Sequence, residues 1–497
     1  MPAAEPSYEE LAALVDRLTA LLEQANAEIG ALRAEVAALK SKAGKDSTNS
    51  SVPPSQDPIA AKANRKAATS QRVRSKQRKR GGQPGHEGSG LMPAVVPDRR
   101  ERVEPAGACG GCGARLDAGM DTGASWAQVW DIAPIVLEKV HYVLPQRRCT
   151  CCRKLTTAAA PFGWAGTVTY GPNVNAAAIL LASQGNVPVE ASAALMAALL
   201  GSPVSTGFVA RAHERFAHTL EQAGFDAAMI AALRAEDVLC ADETPVNVVS
   251  NTEPDGQPAQ GSPHVVAVRT PDARLVWYRA IVARSAARIA ELGVFDRWRG
   301  ILVRDDYAGW HQFDAHLGGV QQCAAHLIRH LQGVLDLDPN QQRWAAQVQT
   351  ALRDAAHLVA AADCTGTRVN PDAVAFARYS YDQGVLVGIS TNLSRAWPDG
   401  NHPGLVLARR LKAKAEQVWL FTTNPKVPWT NNAAEQALKS PKLHQKVSGY
   451  WQTTITLARY CRVRSYLVTA TNHGLRAIDA IHAALSGRPW LPAPTTT

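Results

Sequence analysis

The chain is 497 residues long, enough for about three domains at ~150 residues each. With 46% hydrophobic residues, 19% charged residues and 12 tryptophans, it has the composition of a globular protein; disorder of the whole chain is excluded, though not of a segment. A formal net charge of +10 favours a polyanionic partner, most commonly nucleic acid, and no apolar run approaches the ~20 residues that span a bilayer.

The N-terminus (MPAAEPSYEE) is polar and acidic, without the basic-then-apolar order of a signal peptide, so a cytoplasmic protein without membrane contact is expected. Residues 9–40 carry a heptad, with Val15, Leu22, Ile29 and Val36 in one row and Leu11, Leu18, Ala25, Leu32 and Leu39 in the other. Apolar rows spaced this way predict a coiled coil over residues 1–42 and a parallel homodimer or higher oligomer, the alternative being one amphipathic helix packed on its own body. Residues 43–100 read as a disordered linker, Ser/Asn/Pro-rich at first and then basic. Arg72, Arg74, Lys76, Arg78, Lys79 and Arg80 have no acid among them, which suits counter-ion release on a phosphate backbone.

Two cysteine pairs follow, Cys109-Gly-Gly-Cys112 and Cys149-Thr-Cys-Cys152, separated by a stretch that reads as strands. Four thiolates from two such knuckles complete a closed tetrahedron around Zn²⁺, so residues 101–160 are expected to be a module with a structural rather than a catalytic zinc. Cys151 is an alternative to Cys149 or Cys152. Residues 161–232 look helical, and the turn SPVS before TGFVARAHERFAHTLEQ fits a helix-turn-helix capped by Ser205 or Thr206, as it also fits a plain bundle. In the first reading Arg211, His213 and Arg215 face DNA.

From residue 236 the pattern becomes strands. The run Val238–Ala241 ends at Asp242; residues 264–270 and 274–281 are joined by the turn Pro271-Asp272-Ala273; a helix precedes the strand Gly300–Val303, which ends near Asp305. A fifth strand is expected near Val320–Cys323, with a helix from Ala325. This order opens a ribonuclease H-like domain, a mixed five-stranded sheet with helices, assigned to residues 233–450. Carboxylates at the ends of neighbouring buried strands suit Mg²⁺. Because adjacent strand residues point to opposite faces, Asp242 is chosen over Glu243, and Asp305 is taken with Asp306 as the alternative.

Here a resemblance becomes specific. The segments Asp242-Glu243-Thr244-Pro245-Val246, Asp305-Asp306-Tyr307-Ala308-Gly309-Trp310 and Thr430-Asn431-Asn432-Ala433-Ala434-Glu435 resemble those of transposases of the insertion-sequence 66 family, within the DDE superfamily. So do Gln445-Lys446-Val447-Ser448-Gly449, Asn49–Ser55, Gly81–His86, the paired cysteines, the N-terminal zipper and Arg488-Pro489-Trp490. The resemblance implies that Asp242, Asp305 and Glu435 are the catalytic triad holding two Mg²⁺ (or Mn²⁺) ions. It also implies DNA partners at the element ends and the target, a nucleoid-associated protein, and accessory proteins of the element. One departure is Asp306, where the family usually has Gly.

Glu435 is also reached from local pattern: Thr430 or Asn431 caps a short helix that Pro441 terminates, and Glu435 and Lys439 share a face at i and i+4. The residues between Asp305 and Glu435 are largely helical, read as an insertion at about 337–420 that packs over the site. His326 and Arg329, one turn apart, resemble a family His-x-x-Arg feature, which implies contact with DNA or with the metal site, and they join Lys439 and Lys442 as expected DNA contacts. Residues 451–497 are assigned to a C-terminal helical region. The chemistry expected is hydrolysis at the element end followed by attack of the freed 3′-hydroxyl on target DNA. Rival readings are a DNA-binding regulator with an inactive core and a structure-specific nuclease.

Overall fold

Apolar, largely β-branched runs bounded by turn residues give the strands of this chain, and alanine- and leucine-rich stretches with helical spacing give the rest. The computed structural model describes residues 8–43, 45–46, 48–50, 57, 91–133, 135–159, 168–253, 255–398 and 400–493. The basic residues Arg72, Arg74, Lys76, Arg78, Lys79 and Arg80 lie outside the described residues, as does most of the expected linker. Among the described residues no helix is long and apolar enough to cross a membrane.

The first elements are α1 (Tyr8–Ala43), the hairpin of β1 (Gln146–Arg148) and β2 (Leu155–Thr157), and four helices. These helices are α2 (Pro172–Ser183), α3 (Val189–Leu200), α4 (Thr206–Gln222) and α5 (Phe225–Arg234). Strands β3 (Val238–Pro245), β4 (Val248–Ser250), β5 (His264–Arg269) and β6 (Val276–Ile281) come next. Then follow α6 (Ala286–Ala290), β7 (Ile301–Arg304), a 3₁₀ turn (Ala308–Phe313), β8 (Gly319–Gln322) and α7 (Ala324–Leu337). The insertion is α8 (Arg343–Thr365), α9 (Pro371–Asn392), α10 (Pro403–Ala413) and α11 (Ala415–Trp419). The chain closes with α12 (Asn432–Ala437), α13 (Lys439–Ser448), β9 (Trp451–Thr453), α14 (Thr454–Asn472) and α15 (Ala477–Leu485).

Five strands form the central sheet in the order β6-β5-β3-β7-β8. β5 is antiparallel to both β3 and β6, whereas β7 runs parallel to β3 and to β8. A mixed sheet of this order with helices on its faces fits a ribonuclease H-like core, as expected. Cys240 of β3 pairs with Val303 of β7, and both pack with Leu327, Leu331 and Trp344 on the face covered by α7 and the insertion. Side chains alternate along a strand, so two residues further on Asp242 and Asp305 continue that same face.

Residues 451–497 do not stand alone in the fold. β6 is an edge strand whose outward N–H groups lack a neighbouring strand, and α14 supplies hydroxyls in its place: Val276 N–H donates to Thr469 Oγ1 (3.2 Å) and Tyr278 N–H to Ser465 Oγ (2.8 Å). Covering an edge in this way satisfies the backbone and blocks further strand addition. Nor do residues 161–232 stand alone. Asp226 of α5 receives Trp277 Nε1 (3.2 Å) from β6 and Arg462 Nε (2.8 Å) from α14, while Phe216 and Phe225 pack edge-on against Tyr466.

The two cysteine pairs lie in different compact units, Cys109 and Cys112 in one and Cys149 and Cys152 in the other. In the first, Cys109 N–H donates to the Ala114 carbonyl (2.8 Å) and Gly113 N–H to the Cys109 carbonyl (2.9 Å). In the second, Cys149 N–H donates to the Lys154 carbonyl (2.9 Å) and Arg153 N–H to the Cys149 carbonyl (3.0 Å). Both turns close with a left-handed residue, Gly113 at φ +74° and Arg153 at φ +58°. By this equivalence Cys152 matches Cys112, and Cys151 takes the place of Gly111. Among the described residues of the stretch between the pairs, expected as strands, regular strand appears only at Gln146–Arg148, and the rest is irregular apart from a 3₁₀ turn at Ala118–Met120.

Candidate active site

β3 carries two adjacent carboxylates, and the pleat separates them. Glu243 is turned away: its side chain is fully buried, Oε1 accepts from Arg284 Nε (2.7 Å) and Oε2 from Trp310 Nε1 (3.0 Å). Asp242 keeps the face of Cys240. Burial first, and then repulsion from Glu243, Asp305 and Glu435, pushes its carboxyl well above the usual carboxylate range. Two of the three carboxylates that crowd it come from other segments and the third from the opposite face of β3, so the sheet concentrates negative charge here. Burial and Asp305 raise Glu243 as well, against the pull of Arg284 and Trp310.

Asp305 stands one residue past β7, its Oδ1 accepting from Tyr307 N–H (3.0 Å) and its Oδ2 3.8 Å from the Arg284 guanidinium. Arg284 lies 3.7 Å above the Tyr307 ring, and Tyr307 Oη donates to the Arg284 carbonyl (2.8 Å). A Cβ at Gly309 would come within 2.5 Å of that ring, so glycine is what lets Tyr307 lie there. Asp306 has a different environment. It is ion-paired with Lys414, accepts from His311 Nε2 (3.0 Å) and lies 3.6 Å from Arg410 Nε. Burial alone would raise its carboxyl, but Lys414, His311 and Arg410 hold it below the ordinary range. Asp306 therefore ties the insertion to the end of β7, while Asp305 faces Asp242.

Glu435 is positioned by its own motif. Asn431, fully buried, donates from Nδ2 to the Ala241 carbonyl (2.8 Å), next to Asp242, and from its backbone N–H to Cys323 Sγ (3.1 Å). Ala324 N–H donates to the Trp429 carbonyl (3.0 Å), and Arg269 Nη1 of β5 to the Ala433 carbonyl (3.1 Å). These bonds fasten the start of α12 to β3, β5 and the β8–α7 junction. Two local expectations change. Asn431 makes no side-chain cap, because its amide is used across the sheet, and Pro441 does not end a helix. It sits in the first turn of α13, where a missing N–H is harmless. Glu435 and Lys439 therefore belong to successive helices rather than one face.

His326 Nδ1 lies 3.5 Å and Arg329 Nη2 3.9 Å from Glu435 Oε1, and Cys323 Sγ lies 4.0 Å from the same oxygen. Burial, then Arg329, pushes His326 down to about 3, so its imidazole is neutral; burial pushes the Cys323 thiol up to about 12. Sequence reasoning missed Cys323, Asn431, Arg284 and Arg304 as parts of this site. Only the position of Cys323 three residues before His326 could have flagged any of them.

Other expected contacts are scattered. Lys439 is exposed, whereas Lys442 donates to the Pro245 carbonyl. Ser205 caps α4 by accepting from Phe208 N–H (3.1 Å), as expected. On that helix Arg211 is exposed, but Arg215 donates to Asn175 Oδ1 (2.8 Å) and His213 is half-buried. Burial, then His444 and Arg459, lowers His213 to about 4, so it is not a DNA-facing cation. In the knuckles, N–H groups of Cys112 and Gly111 lower the Cys109 thiol, and those of Cys152 and Cys151 lower Cys149, which favours the thiolate that binds metal.

The raised Asp242 carboxyl has a testable consequence. A carboxyl whose folded pKa exceeds its unfolded value stabilises the fold at low pH and loses that stabilisation as pH rises through the folded value. Without added divalent cations, Asp242→Asn is therefore expected to raise Tm by a few degrees at neutral pH and by nothing in acid below the ordinary carboxylate range. Thermal unfolding of both proteins across pH checks this; a variant less stable than the parent at neutral pH would contradict it.

The sequence profile described as Transposase IS66 family matches residues 167–457, a span that holds Asp242, Asp305 and Glu435. The chain belongs to the IS66 transposase family. A second profile, a family of unknown function (DUF6444), matches residues 2–91. No curated protein matches the chain.

Proposed function

We propose that this IS66 family transposase cleaves DNA at the element ends and joins the freed 3′ ends to target DNA, using Asp242, Asp305 and Glu435. The observation that carries the reading is the crowding of Asp242 at β3 by Asp305 from the end of the neighbouring strand β7 and by Glu435 from α12, which Asn431 fastens to β3. Carboxylates that repel one another at the end of a sheet are a donor set suited to Mg²⁺ or Mn²⁺, which would relieve the repulsion. Bound there, the two cations would supply activation of the attacking oxygen and charge relief on the leaving one. Arg329 and Lys439 would face DNA phosphates, with Arg211 as a further cation on α4. Arg215 and Lys442 are held by protein acceptors and are weaker choices.

The knuckles Cys109/Cys112 and Cys149/Cys152 would bind structural Zn²⁺, since each offers a thiol lowered by backbone N–H groups. Helix α1 would join two copies. Along it Leu18, Leu22, Leu32 and Leu39 are 52–63% exposed, an apolar row unusual for a helix facing water. Leu22→Lys, which places a charge in that row, is expected to convert a dimer to a monomer at micromolar concentration, read by light scattering after size-exclusion chromatography. An unchanged mass would remove α1 from the interface.

The experiment that tests the main reading incubates the protein with DNA bearing its element's ends and Mg²⁺. New 3′-hydroxyl ends and joined products are expected. Binding without cleavage would leave a regulator, and cleavage without joining a nuclease.

A further inference from the structure

Around Glu435 the donors are not those of a hard-cation site alone. Cys323 Sγ, His326 Nδ1 and Glu435 lie within 4.8 Å of one another, with Oε1 of Glu435 3.5 Å from the imidazole nitrogen and 4.0 Å from the sulfur. A tetrahedral zinc with ~2.3 Å bonds to sulfur and ~2.0 Å to nitrogen or oxygen holds its ligand atoms roughly 3.3–3.8 Å apart, so these three need only close slightly. We propose that Cys323, His326 and Glu435 bind one borderline divalent ion of the zinc class, at a site that shares only Glu435 with the hard-cation site of the aspartates.

Three observations support this. The donors are sulfur, nitrogen and oxygen, a set that selects zinc-class over magnesium-class ions. His326 Nδ1 is buried and, among the described residues, has no hydrogen-bond partner, although it lies 3.5 Å from Glu435 Oε1. Cys323 Sγ already accepts the Asn431 N–H (3.1 Å), the kind of contact that stabilises a thiolate once the metal displaces the proton. The chain brings the set together cheaply: Cys323 and His326 are one helical turn apart at the start of α7, and Asn431 anchors α12 beside them. Three protein ligands leave one tetrahedral position open.

The consequence for DNA cleavage rests on the proposed role of Glu435. An ion held by Cys323 and His326 would draw that carboxylate away from Mg²⁺, so micromolar Zn²⁺ would inhibit reversibly and more Mg²⁺ would restore the reaction.

Binding itself is tested without activity. The full-length protein, freed of metal, is titrated with Co²⁺ as a visible probe and then with Zn²⁺, alongside Cys323→Ala and His326→Gln; Tm is measured for each to show that it folds. The knuckles contribute equally to all three. The parent is expected to bind one more ion per chain than either variant, with a tetrahedral Co²⁺ absorption that Zn²⁺ removes. Equal stoichiometry in folded variants would overturn the site. If the extra ion binds but no DNA cleavage is found, the site stands and the proposed function fails. If cleavage is found and Zn²⁺ inhibits the parent and the folded variants alike, the site is overturned while the proposed function stands.

Discussion

Asp242→Asn is expected to reduce strand cleavage by more than about a thousandfold, which corresponds to at least ~4 kcal/mol of lost transition-state stabilisation. Asp242 is the carboxylate on which the repulsion from Asp305 and Glu435 converges, so its replacement removes the group best placed to hold a divalent cation. Asn is nearly isosteric, and it relieves charge crowding, so the fold should persist. Binding of element ends should change less than threefold, because the cations proposed to meet phosphates, Arg329, Lys439 and Arg211, are untouched. A cleavage assay paired with a gel-shift assay separates the effects. Cleavage within tenfold of the parent would mean that Asp242 is not the central ligand.

Arg304→Met is expected to destabilise the core by about 3 kcal/mol and lower Tm by roughly 6–12 °C at ~2–4 °C per kcal/mol. Arg304 is fully buried; Nη2 donates to both oxygens of Asp314 (2.8 Å each) and Nη1 to the Asp305 carbonyl (2.7 Å). Met keeps the apolar stem but leaves the Asp314 carboxylate unpaired, and breaking such a pair is costlier than never having built it. Asp314 retains 27% side-chain exposure, which places the loss at the lower end of the usual range. Because the same guanidinium grips the backbone of Asp305, the Mg²⁺ concentration needed for half-maximal cleavage should rise as well. Asp314→Asn, which keeps an acceptor and removes one charge, should have a smaller effect on Tm. A parent-like Tm for Arg304→Met would refute the clamp.

How much of this was legible can be argued strand by strand. The run Val238–Ala241, the pair 264–270 and 274–281, and the run Gly300–Val303 foretold strands that are all present, because alternating or continuous apolar character is itself the physical cause of a buried strand. The pleat separates Asp242 from Glu243, and Glu243 is engaged on its own side by Arg284 and Trp310. Asp305 against Asp306 was open in the sequence. Lys414 is 108 positions from Asp306 and carries no local label saying which aspartate it will meet; Lys414 and Arg410, brought back by the insertion, take Asp306 and leave Asp305 facing Asp242.

Periodicity, pleat and turn chemistry act over a few residues, so the strands of the central sheet, the strand-end position of the aspartates and the two matching cysteine turns were written in local sequence. Tertiary structure alone decided that α14 would cover the edge of β6, that Asn431 would spend its amide on β3 instead of capping α12, and that Cys323 and His326 would meet Glu435. Each of those depends on which segments pack together, and packing is set by the summed burial of the whole core rather than by the residues that end up in contact.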